Sequence, residues 1–537
     1  MVCRNTARRQ TMGIYLNPGY ENFRITLSAD IYVDKTMMID KINRFIDKGN
    51  KYICMSRPRR FGKTIAGNML SAYYSKGCDS HGLFDPLKIA SVPDYEEKLN
   101  KYNVIKVDLN SEYQNTEDRE NLIKILSEDI KAEMREAFPT IEFADDDTLA
   151  RCILKVYTAT GETFIIIIDE YDVLVREQVS DTLFTRYLSF LNGLFKSDTL
   201  RPAISLAYLT GILPVVRDKV QSKLNNFREY TILNAVQLAE YVGFTSDEVK
   251  TLCEENGVDF DECKSWYDGY RQNGYEIYNP ESVIMCIDEH RFDSYWSRTS
   301  TYEAIAERIR MNFDGTRDAV IRMLAGEEVD VGVGRFMNTM TSFTSKNDVF
   351  TYLIHLGYLA YNLDEKTCRI PNLEVRGEWL YAIEAEPEYA ETNRIIEASK
   401  ELLKETIAGN EEAVARALDI SHIHVTNNRS YNNEDALQSA IYLSYLYALN
   451  TYVCTKEMTA GKGFADVVYV PIHPAPERPA MIIELKRNRS AESAIEQIRG
   501  KKYFEALRHY QGNLLFVGIN YDEEEKTHTC RIEKFEK

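Results

Sequence analysis

The stretch Thr163–Leu174, TFIIIIDEYDVL, constrains the fold of this chain more than any other. Its apolar core is one phenylalanine and four isoleucines, too short for a typical helix and unbroken by the alternation of a half-exposed strand. Such a run suits a central parallel strand covered on both faces, here closed by acids at its C-terminal end. AISLAYLTGI (203–212) repeats the pattern, and KYICMS (51–56) and YNVIKVDL (102–109) supply two further strands. Amphipathic helical stretches fall near 35–48, from about Thr64 to Tyr74, and over 117–137. Strands alternating with helices predict an α/β fold, a parallel sheet wrapped by helices.

The strand KYICMS runs into RPRRFGKT, and a helix follows. In a strand–turn–helix of this kind, backbone N–H groups of the loop and helix start face phosphates. Lys63 would then reach the β- and γ-phosphates, and the Thr64 hydroxyl would bind Mg²⁺. Gly62-Lys63-Thr64 alone reads more readily as a helix start with a surface lysine. The later buried strand shifts the balance, because it ends in Asp169, an acid suited to hold Mg²⁺ through water. Glu170 beside it is the natural group to orient an attacking water. Thr210, at the tip of AYLTGI, is either a polar sensor of the nucleotide or a plain strand-end hydroxyl.

YVDKT, SRPRRFGKT, IIDEYD, LTG, LNN and WYDGY…YNPES resemble the bacterial AAA-ATPase-like family over about residues 25–290. That family's phosphate loop reads R-P-R-R-F-G-K, so the absence of an opening glycine at Arg57 is a family trait. The resemblance implies ATP bound along Arg57, Pro58, Arg59, Arg60, Phe61, Gly62, Lys63 and Thr64, with Thr210 nearby. Arg217 and Arg228 are candidates for a charge-stabilising finger, though each also reads as a solvated surface arginine.

A second constellation lies near the C-terminus. Asp466 sits in FADVVYVP, and Glu484 and Lys486 sit two apart in AMIIELKR. A period of two sends both of the latter to one face of a strand. Two carboxylates can bind Mg²⁺, which activates a water and polarises a phosphate, while the lysine balances charge. Glu434 on the preceding helix can add a carboxylate, and Gln497 on the following helix can point at the same cleft. The order helix, three strands, helix, strand, with D…E-x-K, resembles the PD-(D/E)XK nuclease superfamily. NNEDALQ, GKGFADVVYV and IIELK…AIEQIRGKKY resemble the nuclease-like domain usually fused to the ATPase family above. Ala465 stands where the superfamily's name has proline, a commonly relaxed position.

The expected architecture is a P-loop NTPase parallel sheet with a helical lid and a winged-helix-like region, plus a C-terminal α/β PD-(D/E)XK nuclease-like domain. The boundaries are a leader over 1–24, the P-loop domain over 25–235 and the lid over 236–300. A winged-helix-like region over 301–385, a helical connector over 386–420 and the nuclease-like domain over 421–537 complete the chain. Met12 is an alternative start. The net charge of −18 argues against a protein that coats nucleic acid along its whole surface. It leaves room for a local basic groove, and residues 484–508 hold seven Lys/Arg against four Glu. Ten cysteines without a Cys-x-x-Cys pair fit reduced thiols in a cytoplasm. No apolar run approaches the roughly 20 residues of a membrane helix. ATP, Mg²⁺ and nucleic acid, DNA by family analogy, are the implied ligands, and a homo-oligomer is left open. The leading function is an ATPase controlling a Mg²⁺-dependent nuclease. The rival is a nucleotide-operated switch whose nuclease fold docks a partner without cutting.

Overall fold

Every strand of the first sheet runs parallel to its neighbours. β1 (Tyr52–Ser56), β2 (Asn103–Asp108), β3 (Phe164–Asp169), β4 (Ile204–Gly211) and β5 (Arg228–Tyr230) lie in the order β2-β3-β4-β1-β5. The computed structural model describes residues 13–296, 302–336, 343–425 and 441–535, apart from 216, 219, 220, 223, 442, 443, 461, 462, 473, 474, 476, 508, 509 and 511. β1, β3 and β4 are buried at every position, as their unbroken apolar sequences require between two helical layers. Those layers include α1 (Lys63–Tyr74), α2 (Leu122–Ala137), α3 (Leu149–Thr160) and α4 (Asp181–Phe195). α2 buries Leu122, Ile123, Leu126, Ile130 and Met134 along one stripe. α3 starts on the Thr148 side chain, which accepts the Arg151 N–H, and stops at left-handed Gly161.

This order inserts β4 between β1 and β3, so three functional strand ends lie side by side. Met55 stands opposite Thr210, Ile168 opposite Leu209, and Asp108 opposite Asp169. The chain leaves β1 for β2, on the far side of β4 and β3, while β5 lies on the other flank. A crevice outside the carboxyl ends at such a reversal is where ligands bind in open α/β sheets.

The chain divides into two units, Met1–Trp296 with Val329–Asn372, and Ser297–Glu328 with Leu373–Lys537. The division runs through the segment expected to form the winged-helix-like region. In the first unit the helix Lys346–Leu356 ends at Gly357, whose φ is 90°. It precedes a hairpin of Ala360–Asn362 and Thr367–Arg369, and Val329–Asp330 pairs with the second of these strands. Part of the expected leader is built into the first unit as well. Leu16 bridges Ile105 antiparallel, and Glu133 accepts the N–H groups of Ile14, Tyr15 and Leu16.

The second unit carries a mixed sheet in sequence order: β6 (Tyr452–Ala460), β7 (Gly463–Pro471), β8 (Ala480–Arg487), β9 (Leu514–Asp522) and β10 (Thr527–Phe535). Only β8 and β9 pair parallel, and the crossover between them contains the helix that parallel neighbours need. The stretch expected as one connector is two helices, Ala390–Ala408 and α5 (Glu411–Val425), broken at left-handed Gly409. α5 guards the β10 edge, where Glu411 accepts the Ile532 N–H at 2.9 Å and Asp419 the His528 N–H at 2.8 Å. The crossover helix α6 (Ala491–Gly500) lies against Gly518 of β9, where an added Cβ would stand 2.3 Å from the Ala491 carbonyl. Most of the helix expected ahead of these strands, the one that carries Glu434, lies outside the described residues. Among the described residues no helix is long and apolar enough to cross a membrane.

Candidate functional sites

The loop from Arg57 to Gly62 joins β1 to α1. Gly62 is the residue before the helix and has φ 88°, while an added Cβ there would meet nothing within 4 Å. The glycine is thus required by backbone angle and not by crowding. Pro58 and Phe61 are buried, and Phe61 meets the Tyr270 ring edge-on at 5.4 Å, which pins the loop. Arg57 turns inward with no exposure, and its Nη1 donates to the carbonyls of Ser56 at 2.9 Å and Tyr230 at 3.3 Å. Burial lowers this guanidinium to about 10. Arg57 therefore ties the end of β1 to β5 and stays out of the cleft lining, unlike Arg59 and Arg60. Arg60 pairs with Glu281 at 2.7 Å.

Lys63 is 4% exposed, and its Nζ donates to the Pro58 carbonyl at 2.9 Å and lies 3.8 Å from Glu170. Burial lowers its pKa, opposed by Glu170, Asp169 and Asp172. Thr64 is exposed in the same cleft. On the adjacent strand ends the Thr210 hydroxyl donates to Asp169, both buried. Glu170 follows at φ 51°, its carboxylate held between Lys63 and the Arg176 guanidinium. Burial raises the Glu170 pKa, with Lys63 and Arg176 acting against it. Asp172 accepts the N–H groups of Ile212 at 3.1 Å and Leu213 at 2.8 Å and stands 3.2 Å from Arg176 Nε.

Several residues here go beyond the sequence reading. Asp108 ends β2 in register with Asp169, and burial raises its pKa. Lys106 on the same strand donates to Asn68 of α1. The signal for both was a strand, YNVIKVDL, that ends in an acid just as IIIID does. Of the two arginines considered as fingers, the Arg217 side chain lies outside the described part. Arg228 is exposed, with its guanidinium 5.8 Å from the Tyr230 ring centre. Besides Arg59 and Arg60 of the loop, Arg176 lines the cleft.

The cleft has a volume of about 560 Å³, with Arg59, Lys63, Thr64, Glu170 and Arg176 in its wall. Beside it lies a mainly apolar cavity of about 300 Å³, lined among others by Ile31, Tyr32, Val33, Phe61, Tyr241 and Phe244. Gly62, Ile65, Pro280 and Ile284 border both. A polar trough continuous with an apolar slot suits a ligand with a phosphate tail and a flat ring.

In the second unit, Asp466 Oδ2 accepts the Leu485 N–H at 2.7 Å, which fixes β7 against β8 at this point. Val467 stands opposite Ile483, so Asp466 and Glu484 are the next residues along the two strands. Glu484 is 1% exposed and its Oε1 accepts from Lys486 Nζ at 2.9 Å and from the Gln497 amide. Gln497 also donates to the Tyr503 hydroxyl at 3.1 Å. Burial, and then the Asp466 charge, push the Glu484 carboxyl up to about 7, with Lys486 opposing. Among the described residues its Oε2 is buried without a hydrogen-bond partner. A buried orphan oxygen next to a second carboxylate is a fit for a divalent cation, which would satisfy the one and neutralise the other. Glu434 lies outside the described residues. Among those described, no group of three or more His, Cys, Asp or Glu side chains is arranged to hold a metal, so this site offers a pair.

Two segments match family models. Residues 18–221 match a family described as Predicted AAA-ATPase, and residues 432–530 match the PD-(D/E)XK nuclease superfamily. An uncharacterized protein in the vnfD 5' region of Azotobacter chroococcum mcd 1 is 25% identical over 281 residues, 50% of this chain and 51% of that protein. The chain thus spans about half the length of the curated relative it matches.

Proposed function

We propose that this chain, an AAA-ATPase-like protein with a C-terminal PD-(D/E)XK nuclease-superfamily domain, hydrolyses ATP and uses its nucleotide state to govern cleavage of DNA. One observation carries the first half. Lys63, Glu170 and Asp169–Thr210 come from three distant stretches of sequence and meet at the carboxyl ends of adjacent strands. Lys63 exchanges the Pro58 carbonyl for the β- and γ-phosphates, and the N–H groups at the start of α1 receive phosphate oxygens. Thr64 and Asp169 are the residues that would hold Mg²⁺, which when bound spreads the phosphate charge. Glu170 orients the water that attacks the γ-phosphorus and accepts its proton, with ADP as leaving group. The apolar cavity takes the base.

At the second site Asp466 and Glu484 would hold Mg²⁺, which supplies a hydroxide at neutral pH and polarises the scissile phosphate. Lys486 steadies the charge on that phosphate, and Gln497 keeps Glu484 in place. The basic run that includes Arg489, Lys501 and Lys502 offers the backbone of DNA its counter-charge.

The test is nicking of supercoiled plasmid in Mg²⁺, with and without ATP, beside Lys486→Ala. Nucleotide-dependent nicking that the variant lacks supports the reading. ATP turnover without any nicking would favour the switch whose nuclease fold only docks a partner.

A further inference from the structure

We propose that Arg176 senses the terminal phosphate, exchanging its contact with Glu170 for the γ-phosphate when a nucleoside triphosphate enters. The inference rests on the reading of this cleft as the nucleotide site and adds to it a residue outside the phosphate loop.

Arg176 ends the short helix Val173–Arg176 that follows β3, and its side chain is only 10% exposed, within the wall that also holds Lys63 and Thr64. It has two carboxylate partners of different character. Asp172 is fully buried and fixed by the Ile212 and Leu213 N–H groups, so it anchors the guanidinium from behind. Glu170 lies in the cleft, and Arg176 Nη2 donates to it. A guanidinium has five donors in a rigid fork. It can keep Asp172 and trade the Glu170 carboxylate for phosphate oxygens, which offer more charge and a bidentate fit. Glu170 is otherwise held by Lys63, and Lys63 is drawn to the same phosphates. Entry of a triphosphate thus strips both cations from Glu170 and leaves its carboxylate to a water. A diphosphate ends short of the group that Arg176 would grip. Arg176 is therefore assigned the discrimination of ATP from ADP.

The experiment is calorimetric titration of the full chain with ADP and with a non-hydrolysable ATP analogue. It compares wild type, Arg176→Met, Arg176→Lys, Glu170→Gln and the double variant Arg176→Met/Glu170→Gln. Arg176→Met should weaken the analogue about tenfold or more and ADP less than about threefold, with Arg176→Lys in between. Glu170→Gln, which removes the competing carboxylate, should tighten the analogue only while Arg176 is present. Equal weakening of both nucleotides, or of neither, in Arg176→Lys protein that melts like wild type overturns the proposal. Wild type that binds neither nucleotide overturns the nucleotide site itself, and the sensor with it.

Discussion

Lys63 donates to the carbonyl of Pro58 at 2.9 Å, so the loop occupies with its own backbone the ammonium that a phosphate would claim. The lysine is buried and its pKa lowered, yet Glu170, Asp169 and Asp172 oppose that fall. The neighbouring carboxylates favour its charged form, and the loop carbonyl holds it by an exchangeable hydrogen bond. Lys63→Ala should reduce ATP affinity about a hundredfold or more, the loss expected for a charge-assisted phosphate contact in a protected cleft. The second unit should keep its fold, read as an unchanged protease-resistant C-terminal fragment. ATP binding at wild-type strength in this variant would remove the cradle assignment.

Glu170→Gln separates binding from chemistry. The amide keeps the shape of the side chain but cannot accept the proton of an attacking water, so turnover should fall about 10²–10⁴-fold with ATP still bound. Because burial raises the Glu170 pKa, wild-type turnover should climb with pH as this carboxyl ionises, and the residual activity of the variant should lack that limb. A variant with full turnover, or one with the same pH limb, would assign the base elsewhere.

Strands buried on both faces were the most legible part of the sequence, because an unbroken apolar run admits few other structures. KYICMS and AMIIELKR correspond within a residue to β1 and β8. The strand-end acids were legible for the same reason, since a charge at the close of such a run has only the sheet's edge to occupy. What escaped were residues whose role depends on packing between distant segments. Arg57 reads as one of three loop cations, and only the carbonyl of Tyr230, 173 positions away, shows that it faces inward. Arg176 carries no motif, and its proximity to Glu170 comes from the turn after β3. The slot beside the cleft draws on residues 26–35 and 241–244, which no local pattern links. By sequence α5 reads as part of a connector, because the N–H groups it covers belong to a strand about a hundred residues later.

Glu484 predicts a pH signature at the second site. Its carboxyl is pushed up to about 7, so the folded chain retains a proton that the unfolded chain releases near the ordinary value of 4.5. A carboxyl raised on folding adds stability that is full below its unfolded pKa and lost as pH rises through the folded one. In chelator, the melting temperature should fall between pH 5.5 and 8.5, and Glu484→Gln should flatten that fall. Mg²⁺ should restore the wild type at the alkaline end and leave the variant nearly unmoved. Parallel melting curves for the two proteins, with and without Mg²⁺, would show that Glu484 neither holds a proton nor meets the ion.

Asp419 offers a test of how the β10 edge is kept from pairing with other chains. One of its oxygens accepts the His528 N–H and lies 2.8 Å from His528 Nδ1, so a single carboxylate serves a strand-edge donor and a buried imidazole. Burial lowers the His528 pKa, and Asp419 opposes that fall. A histidine depressed on folding gives stability that is present above its unfolded value of 6.5 and lost as pH drops below it. Removing the carboxylate leaves burial unopposed, so the loss on acidification should deepen. Asp419→Ala should cost about 1–2 kcal/mol at pH 8, from the unsatisfied edge donor, and more at pH 5. Urea melts at the two pH values measure both quantities, and light scattering at the midpoint reports whether the uncovered edge recruits a second chain. A variant whose deficit is the same at pH 5 and pH 8 would mean that the imidazole stays uncharged whether or not Asp419 is there.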